Sequence, residues 1–209
     1  RIVQEYVASP LLWGIHVGAA SRFKQLSDLN GAKVAISRMG SGSHLMACVH
    51  AEQQGWDAQN LSFEIVHTID GAVEALTKGN ADYFMWEHFM TQPLVDQGVF
   101  RRLGDCPTPW PCFVIAVRED FLAQNSSLIS QVLQIINEQT KTFKTQSGID
   151  LLLADKYHQQ PEDIRQWLSL TEWSQKNISP EVFNQVQNQL LALGLIDKKG
   201  TFADIAATV

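Results

Sequence analysis

The run Lys33-Val34-Ala35-Ile36, followed by Ser37-Arg38-Met39-Gly40-Ser41-Gly42-Ser43-His44, constrains the fold more than any other stretch. Four residues of this kind read as a buried strand. Leu45, Met46, Val49 and Ala51 then recur at helical spacing as far as Gly55. The glycine-serine stretch is therefore a turn that takes a strand directly into a helix, and that unit belongs to an α/β sheet with helices on its faces. The rest of the chain repeats the order. Leu11 to Val17 reads as a first strand, and a linker or short helix over 23–29 closes at Asn30-Gly31. Phe63 to Val66 alternates like a strand, and Asp70 can cap a helix carrying Ala72, Val73, Ala75 and Leu76 that stops at Gly79. Residues 81–86 form the next strand, and 87–97 read as helix with Pro93 in a first turn or at a kink. Val99 to Leu103 is a further strand. In Cys106-Pro107-Thr108-Pro109-Trp110-Pro111 the prolines impose an extended path, and an apolar strand follows at 113–117. Beyond Asp120 the pattern is helical, over 126–146, 148–157, 161–170 and 180–193, with Pro161 and Pro180 near two of the starts.

A chain of 209 residues with 45 % hydrophobic residues buries either one large domain or two small lobes. Its formal net charge of -6 offers no field for a phosphate backbone, and the basic runs stop at Arg101-Arg102 and Lys198-Lys199, so no nucleic-acid partner is expected. Apolar runs such as Leu151-Leu152-Leu153-Ala154 fall far short of the roughly 20 residues that cross a bilayer, so no membrane span is expected. Cys48, Cys106 and Cys112 fit neither a disulfide framework nor a zinc site and read as free thiols, with a Cys106–Cys112 bridge open if the compartment oxidises. His50, His67 and His158 show no ligand spacing, so no metal and no cofactor is expected. The chain opens at Arg1-Ile2-Val3, which does not resemble a signal peptide. A periplasmic or cell-envelope location then requires a signal upstream, and without one the location is cytoplasmic.

The turn from Ser37 to His44 is the foremost candidate site. A helix N-terminus presents unpaired N–H groups and partial positive charge. Gly40 and Gly42 let a ligand approach the backbone, Ser41 and Ser43 can cap the helix or donate to an anion, and Arg38 and His44 can add charge-assisted bonds. Equally, a serine that caps and glycines that turn the chain account for the same residues. There is no Gly-Lys-Ser/Thr ending and no Gly-x-Gly-x-x-Gly spacing, which removes support for ATP and NAD. A second cluster spans Tyr83 to Phe89, where a strand ends and a helix begins, the usual place for ligand contacts in open sheets. Trp86 and Glu87 sit at that edge, either as ligand contacts or as core and solvated face. Trp13 and Trp110 lie beside strand ends or proline-held turns and can wall a pocket, whereas Trp56, Trp167 and Trp173 read as packing residues. No catalytic motif appears, and Glu87 with His16 or His44 is the one conceivable acid–base pair.

Leu29-Asn30-Gly31-Ala32-Lys33-Val34-Ala35-Ile36-Ser37, then Gly40 to His44, then Ala72-x-x-Ala75-Leu76-x-x-Gly79-x-Ala81-Asp82 together resemble the type II periplasmic binding proteins. The branch is that of ABC-transporter substrate-binding proteins for thiamine pyrimidine precursors, sulfonates and nitrate. The resemblance runs from roughly Pro10 to Phe143, and members of the family begin with more of their first lobe than this chain carries. It implies a two-lobed α/β fold with mixed sheets flanked by helices and a helical C-terminal region. Lobe one would comprise 1–28 and 104–209, and lobe two 29–103. The proline-rich segment would be the second crossing between lobes and would restrict a hinge to a few arrangements. It further implies that Ser37, Arg38 and Gly40 to His44 face an interlobe cleft, that Trp86 and Glu87 line its floor, and that Trp13 and Trp110 stand near the hinge.

The expected function is therefore binding of a small polar, anionic or heteroaromatic molecule, as the solute-binding component of an ABC transporter with its permease as partner. An enzyme on the same fold is one rival, either a pyrimidine-precursor synthase or a dehydratase, although the synthase's cysteine-rich motif is absent. The effector-sensing domain of a regulator is the other.

Overall fold

A computed structural model describes residues 1–208. Its strands are β1 (Ile2–Gly18), β2 (Val34–Ile36), β3 (Phe63–Ile65), β4 (Tyr83–Glu87) and β5 (Phe100–Ala116), and they form one sheet in the order β3-β2-β4-β1-β5. Strand β2 is parallel to both β3 and β4, and β1 is antiparallel to β4, so the sheet is mixed. Helices α1 (Gly42–Gln53), α2 (Ile69–Lys78) and α3 (Gln92–Asp96) lie between these strands in sequence. Helices α4 (Glu119–Phe143), α5 (Ile149–Tyr157), α6 (Pro161–Leu170), α7 (Pro180–Ala192) and α8 (Phe202–Ile205) follow them. No helix among the described residues is long and apolar enough to cross a membrane.

The residues divide into two compact units, one of Leu11–Thr108 and one of Arg1–Pro10 with the chain from Pro109 onward. The chain passes from one to the other inside β1 and inside β5. This division differs from lobes of 1–28 with 104–209 and 29–103, because Trp13 to Val17 are hydrogen-bonded to Glu87 to Tyr83 and so are held in the sheet unit. In that unit Ala35, Phe84 and Phe100 pack with Ala72, Ala75 and Leu76 of α2, joined by Trp86, Leu94 and Val99. In the other, Val3 packs with Ile129 and Leu133 of α4, and Ile149, Ala154, Ile164 and Leu168 join α5 to α6 beside Trp167 and Trp173.

The local chemistry explains the boundaries. Thr68, rather than Asp70, caps α2 by accepting the Gly71 N–H at 3.1 Å, and Gly79 ends it in the left-handed region. Pro93 sits in the first turn of α3, which is shorter than the expected 87–97 because 88–91 form a turn. The stretches expected as a strand at 99–103, a proline segment and a strand at 113–117 are one strand from Phe100 to Ala116. Pro107, Pro109 and Pro111 fall at every second residue of β5, a strand at the end of the sheet order, where missing N–H donors are tolerated. Helix α4 starts earlier than expected, at Glu119, and kinks at Asn125. All three cysteines are free thiols.

Two histidines are sealed in the sheet unit. His16 is fully buried, and burial together with the Arg102 guanidinium lowers it to about 3. His50, stacked on Trp56, has no partner for either ring nitrogen among the described residues, and burial lowers it to about 4.

The tightest backbone approach is at Gly71, where a Cβ would lie 2.0 Å from the Val66 carbonyl oxygen. Gly71→Ala is expected to lower unfolding free energy by about 2–4 kcal/mol, read from urea denaturation. Acidification is a second test. Below about 6.5 the unfolded chain protonates both histidines while the folded one does not, so it binds more protons and stability rises with pH. Glu87, raised by burial, acts with the opposite sign, one group against three, since burial lowers His44 as well. The urea midpoint should hold above about pH 7 and fall progressively toward pH 4, and equal midpoints at pH 7 and pH 5 would contradict neutral burial of the two rings.

Candidate functional site

The turn between β2 and α1 is built by its own side chains. Ser41 is the helix cap, its Oγ accepting the His44 N–H at 3.3 Å. The Ser43 hydroxyl, 1 % exposed, accepts the Ser37 N–H at 2.9 Å and stands 3.0 Å from Ser41 Oγ and 3.4 Å from Ser37 Oγ. The three hydroxyls thus knit the turn together. They are not a row of donors pointed at a ligand, so the capping reading accounts for Ser41 and Ser43 and an anion here would meet the backbone. His44 Nδ1 accepts the Gly40 N–H at 3.0 Å, its ring lies edge-on to Phe63, and burial lowers its pKa. A protonated His44 would lose that bond, so the neutral ring closes the turn and a charge-assisted role does not fit it. Gly40 takes a φ of 72°, a conformation glycine adopts without strain.

What the turn leaves available is the amide of exposed Gly42, which at the first position of α1 has no intrahelical acceptor; the Ser43 amide lacks one too but lies in a residue that is buried. Gly42 is exposed and lies against the Trp13 ring: a Cβ there would come within 3.0 Å of Trp13 Cη2 and 3.2 Å of Cζ2. Arg38 is exposed on the same turn. The Trp13 ring and the first amide of α1 therefore meet here, with exposed Arg38 on the same turn.

The β1–β4 ladder carries the second cluster to the same place. Trp13 pairs with Glu87 and Gly14 with Trp86. Alternation then puts Glu87 on the sheet face of Trp13 and turns Trp86 to the other. Trp86 stacks on Phe84 with centroids 5.3 Å apart and packs into the α2 core, its ring meeting Trp13 edge-on at 6.1 Å. The indole N–H groups of Trp13 and Trp86 are buried with no partner among the described residues. Burial raises Glu87, although its Oε2 accepts the Met90 N–H at 2.7 Å. Trp110 falls in the other compact unit, 7 % exposed. The structure thus brings together Trp13, Glu87 and the 37–44 turn, with Trp86 adjoining them from the opposite face.

Sequence reasoning passed over a polar network behind Glu87. His16 donates from Nδ1 to the Phe84 carbonyl at 3.3 Å, and its Nε2 faces Thr91 Oγ1 at 2.9 Å and Arg102 Nε at 3.2 Å. Arg102 also donates to His88 and Gln92, and His88 Nδ1 meets Asp105 Oδ1 at 2.7 Å. The one available signal is Gly14, a glycine inside an otherwise apolar strand, which marks a close approach. His16 and Glu87 each have partners of their own, and neither forms the acid–base pair conceivable from sequence. No group of side chains fit to hold a metal occurs among the described residues.

Residues 13–106 match the family model of Ca3427-like PBP. The CA3427 gene product of Candida albicans, of the generic periplasmic binding protein fold, aligns with a TM-score of 0.83 at 21 % identity, over 95 % of this chain and 68 % of that one. The alkanesulfonate-binding protein SsuA of Xanthomonas axonopodis pv. citri, bound to MOPS, aligns at 0.78 and 15 % identity, over 98 % and 74 %. The desulfurization enzyme DszB aligns at 0.65 and 12 % identity, over 98 % and 77 %. No curated protein sequence matches the chain. At these identities the structural likeness establishes fold alone, and that fold, with its mixed sheet and following helices, is the periplasmic binding protein fold, carried here by a chain whose residues 13–106 match the Ca3427-like type.

Proposed function

We propose that this chain is a solute-binding protein that holds a small organic anion of the sulfonate class at the start of α1 and delivers it to an ABC-transporter permease in the cell envelope. The observation that carries the reading is the seat formed by Trp13 against Gly42. It sets an apolar face beside amides that have donors to give and no acceptor of their own. A sulfonate offers acceptors only and stays ionised at neutral pH, so it satisfies those amides and the positive end of the helix dipole. Its organic part rests on the indole. Arg38 adds charge at the rim, and Glu87, opposite Trp13 on the ladder, closes the floor. The likeness to an alkanesulfonate-binding protein with MOPS supports the same class.

The DszB likeness raises an enzymatic reading. It loses support because the two histidines that could act as a base with Glu87 are engaged, His44 through Nδ1 and His16 through Nε2, in bonds that hold the local structure.

Titration calorimetry with MOPS and with ethanesulfonate is expected to show saturable binding. Trp13→Ala should weaken it by about 1–3 kcal/mol. Gly42→Ala should weaken it too, by pushing the indole from its seat. Ser43→Ala should instead act mainly on stability, costing about 1–3 kcal/mol for the stranded Ser37 amide. Heat signals unchanged in Trp13→Ala would remove the seat from the site, and mass spectrometry showing a converted sulfonate would favour the enzyme.

A further inference from the structure

Arg101 and Arg102, the one basic pair in β5, reach opposite ways from an extended strand. Arg101 donates to the carbonyls of Ala19, Ser21 and Phe23 at 2.9–3.1 Å and closes the loop after β1. Arg102 does something more specific. Its Nη2 donates to the His88 carbonyl at 2.7 Å, its Nη1 to Gln92 Oε1 at 2.7 Å and to His88 Nε2 at 2.8 Å, and its Nε to His16 Nε2 at 3.2 Å. Every one of these acceptors except His16 belongs to the turn over 88–91 that leaves β4 or to Gln92, the first residue of α3.

We propose that Arg102 is a positioning residue for the ligand floor, its guanidinium reaching from β5 past the side-chain-free Gly14 of β1 to lock the turn over 88–91 against the start of α3 and, through it, Glu87. The inference rests on the anion-seat reading given above. Three further features make the lock a built one. Gly14 leaves the space: a Cβ there would stand 2.9 Å from Arg102 Nε and 2.5 Å from His16 Cε1. His16 is held as an acceptor at Nε2, because its Nδ1–H is committed to the Phe84 carbonyl. Asp105 Oδ1 accepts from His88 Nδ1, which leaves His88 Nε2 to accept from Arg102. The turn is tied to β1 as well, by the His88 N–H on the Leu12 carbonyl at 2.9 Å. Fully buried Thr91, whose hydroxyl lies 3.1 Å from the carbonyls of Glu87 and His88, closes it from within. An arginine suits this place because a planar fork spans several acceptors at fixed angles, which an ammonium cannot.

The test uses the whole chain and three variants, Arg102→Met, Arg102→Lys and Gly14→Ala. In the unliganded protein, hydrogen exchange at the Met90 and Thr91 amides should quicken at least about tenfold in all three, while the amides of α1 keep their wild-type rates. Exchange that is unchanged at 90–91, or that quickens equally in α1, overturns the proposal, since a merely structural role loosens the unit as a whole. MOPS affinity should fall about tenfold in Arg102→Met and in Gly14→Ala, where the charge is still present, and Arg102→Lys should fail to restore it. Wild-type affinity in folded Arg102→Met overturns the link to the floor. If the wild-type protein takes up no sulfonate, the anion-seat reading falls, and the exchange pattern still decides whether Arg102 sets the turn.

Discussion

The antiparallel ladder between β1 and β4 is the constraint on which the site depends. Pairing Trp13 with Glu87 and Val17 with Tyr83 joins segments some seventy residues apart, and the two-residue period of a strand then decides every side chain's face. Slipping β1 by one residue would turn Trp13 to the opposite sheet face, away from Gly42. The same ladder aligns Gly14 with the gap through which Arg102 passes.

A second lesson concerns polar residues at a helix start. Ser37, Ser41, Ser43 and His44 look like a reservoir of hydrogen-bond donors, yet the structure uses them to satisfy one another and the local backbone. A buried hydroxyl without a partner is expensive, so a turn that enters the sheet uses its own side chains first. What the turn leaves unused are the first amides of α1, which the helix cannot satisfy, and the Trp13 ring beside Gly42. The periplasmic binding protein fold supplies the strand, turn and helix, and a fold does not by itself fix what is bound.

The helices and the parallel part of the sheet were legible because their signals are local. Helical spacing after Gly42, the stop at Gly79 and the prolines opening α6 and α7 each act within one turn of chain. The prolines of β5 misled, since they suggest a break between strands. Only the sheet order shows that β5 lies at an edge, where alternate residues need no donor. Asp70 lost the capping position to Thr68 for a similarly small reason: both types cap well, and the path of the chain from β3 selects between them.

By itself the sequence determined the α/β order, the strand–turn–helix unit at 33–55, and Trp13, Gly42 and Glu87 as candidates, because periodicity, glycine and capping chemistry operate between near neighbours. Tertiary structure decided which candidates meet. It set Trp13 on Gly42, turned Trp86 into the α2 core, withdrew the serines into the turn and revealed the Arg102 brace. Those outcomes follow from strand register and from contacts between residues remote in sequence, and no local pattern encodes the distance between Gly14 and Arg102.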